Sequence, residues 1–65
     1  MSLGKNIKEL RKKEGLTQAE LAEMLGINTN ESISRWENDL HRPSTKILEK
    51  LTFIFNTDFN SLFRE

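Results

Sequence analysis

The 65 residues contain no cysteine and no tyrosine, and only one proline, one tryptophan and one histidine. Without cysteine there is no disulfide framework and no thiolate zinc site, a composition that fits a reducing cytoplasm. The lone histidine, His41, has no histidine or cysteine at ligand spacing, so no metal is expected. There is no glycine-rich phosphate loop and no set of residues able to form a nucleophile, base and oxyanion site. No enzyme activity, cofactor or small-molecule ligand is therefore expected. No apolar run approaches the roughly 20 residues that cross a bilayer, and no signal peptide is present, so no membrane partner is expected. Valine is absent too, and no segment alternates long enough to build a sheet, which leaves an all-α fold. The formal net charge is zero, which counts against nucleic-acid binding, because domains that displace counterions from phosphates are usually basic.

The charges are nevertheless sorted along the chain. Residues 1–13 carry Lys5, Lys8, Arg11, Lys12 and Lys13 against Glu9, whereas residues 14–40 carry Arg35 against Glu14, Glu20, Glu23, Glu31, Glu37 and Asp39. A mild basic excess resumes at Arg42, Lys46 and Lys50, so a DNA-facing surface has to draw charge from both ends of the chain. The length permits one domain, residues 1–65, with residues 1–3 read as a tag-derived or disordered start.

Apolar spacing divides the chain into five helices. Leu3, Ile7 and Leu10 mark a first helix of about 4–14 that runs to Gly15. Thr17 with Glu20 three residues later forms a capping box for a second helix of about 18–25, ended by Gly26, with Ile27 as a plug between helices. Asn28, Thr29 and Asn30 are all acceptable N-caps for a third helix of about 29–38 that turns Ile33 and Trp36 inward. After Pro43, Ser44 caps a fourth helix with an apolar stripe of Ile47, Leu48, Leu51, Ile54 and Phe55. Asn56 suits a left-handed helix end, and Asp58 caps a short fifth helix with Phe59, Leu62 and Phe63. Phe53 lies opposite the stripe, and with Phe59 or Phe63 beside it suggests a C-terminal isologous homodimer.

IKELRKKEGLTQAELAEMLGI, then ISRWEN, then RPS before an apolar helix and a short terminal one, stand in the order and nearly the spacing of a known family. Almost the whole chain resembles the phage repressor and Cro-type helix-turn-helix family, the xenobiotic-response-element type. The resemblance implies a five-helix lambda-repressor-like bundle whose second and third helices form the helix-turn-helix. It also implies a transcriptional repressor that reads a pseudo-palindromic operator in double-stranded DNA with its third helix in the major groove, usually as a dimer. Asn30, Glu31, Ser34 and Arg35 match the base-reading positions, and Gln18 matches a residue that clamps a phosphate at a helix start. Thr17, Asn28, Thr29 and Asn38 fall on the turn or backbone side, with His41, Arg42 and Lys46 as a basic rim. Arg11 and Glu37 match a structural ion pair between the first and third helices.

Two departures from the family pattern stand out. Ile27 to Ser32, INTNES, is one residue longer than usual, which the turn or the first turn of the third helix must absorb. Asp39 and Leu40 replace the more usual glycine and lysine. The competing reading is a protein-interaction module, antitoxin-like, with weak DNA affinity, which the acidic Glu20, Glu23 and Glu31 favour. The polar, hydrogen-bonding character of Asn28, Thr29, Asn30, Ser34 and Arg35 suits a DNA groove better than a dry interface.

Overall fold

Helix boundaries in this chain are set by side chains that cap them. In the computed structural model, which describes residues 2–64, the order is α1 (Leu3–Lys13), α2 (Gln18–Leu25), α3 (Glu31–Glu37), α4 (Thr45–Ile54) and α5 (Phe59–Leu62), with no strand among the described residues. Thr17 and Glu20 complete the capping box at the start of α2: the Thr17 hydroxyl accepts from the Glu20 N–H at 3.0 Å, and the Glu20 carboxylate accepts from the Thr17 N–H at 2.8 Å. Ser44 accepts from the Ile47 N–H at the start of α4, and Asp58 from the Ser61 N–H at the start of α5. The backbone N–H of Ser61, which favours the charged carboxylate, holds the Asp58 pKa below its ordinary value.

Each of α1 to α4 ends in one backbone motif. A left-handed residue donates to a carbonyl three positions back, and its successor donates to one five positions back, so that orphaned carbonyls are satisfied. The left-handed residues are Gly15, Gly26, Asp39 and Asn56, followed by Leu16, Ile27, Leu40 and Thr57. Leu16 and Ile27 turn back against the core, where such residues ordinarily cover the helix end. Leu40 does not: it is 72% exposed.

The core is one cluster. Ile7 of α1, Leu21 and Leu25 of α2, Ile33 of α3, Leu51 of α4 and Leu62 of α5 are its most enclosed side chains, with Trp36 and Phe55 beside them. Every helix therefore contributes to the same interior, and none can shift without opening it. Burial of large apolar side chains, at about 1.5–3 kcal/mol each, is the main term holding so short a chain.

Two boundaries differ from expectation. The start of the chain is ordered at Ser2 and Leu3. The Ser2 hydroxyl caps α1 by accepting from the Lys5 N–H at 3.1 Å, and Leu3 packs against the core, whereas Met1 lies outside the described residues. The reason is local: serine is a favoured N-cap, and it precedes a helix that the core requires. Helix α3 begins at Glu31 rather than near residue 29. Asn30 occupies the cap position without a side-chain cap bond, and the Thr29 hydroxyl instead accepts from the Glu31 N–H at 3.1 Å. Of INTNES, residues 27–30 lie outside any helix, and α3 is helical over its seven residues.

Candidate nucleic-acid interface

Helix α3 has one face fixed to the bundle and one turned to solvent. Its buried side is Ile33, Trp36 and Glu37. A buried carboxylate is costly unless it is paired and hydrogen-bonded, and Glu37 is both. Arg11 Nε donates to Glu37 Oε2 at 2.6 Å and Arg11 Nη2 to Oε1 at 3.2 Å, while Gln18 Nε2 donates to the same Oε1 at 3.0 Å. Arg11 Nη1 also donates to the Leu16 carbonyl at 2.7 Å. The two charged side chains are 10% and 2% exposed, so α1, the α1–α2 turn and α2 converge on the last residue of α3.

A second anchor lies one turn on. Asp39 accepts from the Gly4 N–H through Oδ1 at 3.1 Å, satisfying a donor that the start of α1 leaves free. Gly4 allows this approach because a Cβ there would collide with the Trp36 and Glu37 carbonyl oxygens and the Asp39 carboxylate. Asp39 itself is left-handed, with φ of 59°, at the position where the resembled family usually has glycine. Neither contact was evident from sequence; an Asp at a helix end and a Gly near a chain start gave only the local signal of a turn.

The outward side of α3 carries Glu31 and Arg35 exposed and Ser34 half-buried, with Asn30 and Asn38 exposed at its two ends. Asn38 Nδ2 folds back on the Ser34 carbonyl at 2.9 Å, leaving its side-chain oxygen outward. Thr17, Asn28, Thr29, His41, Arg42 and Lys46 are exposed as well, and His41 and Arg42 share a hollow with Arg35 of α3. The Thr17 hydroxyl, having accepted from the Glu20 N–H, keeps its own hydrogen to donate. Gln18, half-buried, gives one amide hydrogen to Glu37 and keeps the other, along with its carbonyl oxygen. Arg35, His41 and Arg42 line one hollow together with Ser32 and Trp36, which brings two arginines to one place on a molecule whose formal net charge is zero.

The three aromatic candidates for a dimer contact are not equivalent. Phe53 on α4 is 85% exposed, and Phe59 is partly exposed at the start of α5. Phe63 has a partner within the chain: the Arg42 guanidinium lies 5.1 Å from its ring centroid. Sequence reading missed Asn6, a buried residue whose amide donates to the Leu62 carbonyl at 2.8 Å and the Arg64 carbonyl at 2.7 Å. Its partners lie so far along the chain that no local pattern marks it.

Two helices joined by a glycine turn, the second anchored at its back and polar at its front, define a helix-turn-helix domain. The chain belongs to the helix-turn-helix family: the family profile matches residues 7–62, and the type is the phage repressor and Cro one. It is 48% identical over 61 residues to the HTH-type transcriptional regulator ImmR of Bacillus subtilis, a match that covers 91% of this chain and 47% of ImmR. Among solved structures it resembles the P22 c2 repressor in complex with a synthetic operator, at a TM-score of 0.89 and 30% identity over 98% of this chain and 96% of that one. It also resembles SinR, a master regulator for biofilm formation, in complex with DNA, at a TM-score of 0.82 and 33% identity over 92% and 95% of the two chains. The chain spans less than half the length of ImmR. No helix among the described residues is long and apolar enough to cross a membrane.

Proposed function

We propose that this chain binds an operator in double-stranded DNA and regulates transcription there as a repressor, with α3 in the major groove. The observation that carries the reading is the two-sidedness of α3. Ile33, Trp36 and Glu37 hold it from behind, and Asn30, Glu31, Ser34, Arg35 and Asn38 present donors and acceptors outward. Such side chains match base edges: asparagine pairs with adenine, arginine with the O6 and N7 of guanine, and a carboxylate with the cytosine amino group. Transcriptional regulators among the relatives, and DNA complexes among the similar structures, support the same reading.

The division of labour follows the family resemblance, and the solvent exposure of Asn30, Glu31 and Arg35 supports it. Asn30, Glu31, Ser34 and Arg35 read bases. Thr17, Gln18, Asn28, Thr29, Asn38, His41, Arg42 and Lys46 meet the turn side and the phosphates, with Arg42 and Lys46 supplying positive charge there. A homodimer formed through Phe53 and Phe59 sets two copies of α3 about one DNA turn apart, roughly 34–36 Å, on a pseudo-palindromic site.

The test is selection of duplexes from a random-sequence library, followed by salt titration of the best one. Enrichment of one motif, with affinity falling steeply as salt rises, is the expected result. Failure to enrich any sequence, with no salt-dependent binding, refutes the proposal. Sedimentation with and without Phe53→Asp tests the dimer, and an unchanged mass distribution removes it from the reading.

A further inference from the structure

We infer that Phe63 is a positioning residue for DNA binding: its ring holds the Arg42 guanidinium at the hollow beside α3, where that group meets a backbone phosphate. The inference rests on the DNA-reading role of α3 proposed above. Arg42 borders two hollows, one shared with Ser32 and Arg35 and the other with Leu3, Leu40 and Phe63. Arg35 and Arg42 bring like charges to the first, and a long side chain gains rotamer freedom by swinging away.

What offsets this is the aromatic face on the other side. At 5.1 Å from the centroid, the guanidinium lies within the range where a ring quadrupole attracts a cation. No carboxylate among the described residues stands at ion-pair distance from Arg42; the one ion pair there is Arg11 with Glu37. Asp39 borders the Phe63 side, where its Oδ1 accepts from the Gly4 N–H, and it makes no ion pair with Arg42.

The ring is itself held in place. Asn6 donates to the carbonyls of Leu62 and Arg64, the residues on either side of Phe63, so its amide fixes the backbone that carries the ring. A chain of contacts therefore runs from α1 through the end of α5 to the loop after α3. An incoming phosphate meets a guanidinium already held on its ring, with Ser32 and His41 lining the same hollow, and brings negative charge to a place that two arginines share. Phe63 thereby acts on DNA through Arg42, whereas Phe53 and Phe59 are left for contact between copies.

The test uses the highest-affinity duplex recovered from the random-sequence library. Phe63→Leu keeps apolar bulk but removes the π face. It is expected to weaken binding about three- to tenfold and to lower the slope of log affinity against log salt by about one, as loss of one phosphate contact does. In an Arg42→Ala background the same substitution has no further effect, and Phe63→Tyr restores wild-type affinity and slope. An unchanged affinity, weaker binding with an unchanged slope, or an equal loss in both backgrounds overturns the inference. Should Phe63→Leu lose its helical far-UV spectrum, the wild type answers instead. The NMR signals of the Arg42 δ-protons are shifted upfield by the ring and stay so when duplex is added; loss of that shift on binding overturns the inference. A wild type that enriches no duplex overturns the DNA reading and this inference together. If the wild type binds, the affinities and slopes of the variants and the Arg42 shift decide the role of Phe63.

Discussion

The two ends of α3 are held in different ways. At the C-terminal end, Arg11 and Gln18 bind Glu37 in a buried cluster, and Gly4 and Asp39 tie the following turn to the start of α1. At the N-terminal end, the Thr29 hydroxyl supplies one exposed hydrogen bond to the Glu31 N–H, and Asn30 supplies no side-chain cap. The proposed base-reading residues Asn30 and Glu31 sit at this lightly held end. On the proposed reading, the buried anchor that orients α3 lies apart from Asn30 and Glu31, so these two can vary without loss of the helix.

The largest effect should come from breaking the anchored end. Arg11→Met leaves the Glu37 carboxylate buried without its cation, and should cost about 3–5 kcal/mol in urea unfolding. That is a large share of the total stability of so small a domain. The pair Arg11→Met with Glu37→Leu should recover most of the loss, because the uncompensated charge is gone. If Arg11→Met costs no more than an exposed pair would, under about 1 kcal/mol, the anchor is not what holds α3.

Gly4→Ala should follow, losing about 1–3 kcal/mol in a thermal melt, because the methyl group forces α1 away from the end of α3. A neutral result would mean that the two helices separate there without cost.

The lightly held end should give the smallest changes in stability. Thr29→Ala removes a hydroxyl that accepts at the helix start and should cost about 1 kcal/mol, whereas Asn30→Ala should stay within about 0.5 kcal/mol. Asn30→Ala should instead alter the preference at one base pair of the selected duplex. An Asn30→Ala protein that is unstable but reads DNA unchanged would reverse the comparison.

Much of the fold was legible because its signals are local. Thr17 with Glu20, Gly26, Ser44, Asn56 and Asp58 mark helix ends by chemistry that acts within a few residues, and apolar spacing assigned the buried faces. The start of α3 was not legible, since three successive candidate caps compete there and the position and the hydrogen bond fall to different residues, Asn30 and Thr29. Ser2 did carry a readable capping signal that a start read as tag-derived or disordered obscured. The contacts of Asn6 with Leu62 and Arg64, of Gly4 with Asp39 and of Arg42 with Phe63 join distant segments, and only the folded chain brings those residues together. On α3, the exposure of Glu31 and Arg35 followed from the burial of Ile33 and Trp36. Leu40 breaks the pattern of Leu16 and Ile27 by staying exposed, and the backbone motif it shares with them gives no reason for that.

The most direct test of the central claim is an NMR titration of the uniformly labelled protein with its selected duplex. Amide and side-chain shifts are expected to concentrate at Asn30, Glu31, Ser34, Arg35 and Asn38, with weaker changes at Thr17, Gln18, His41, Arg42 and Lys46. Shifts centred on Phe53 and α5 with α3 unmoved would contradict it.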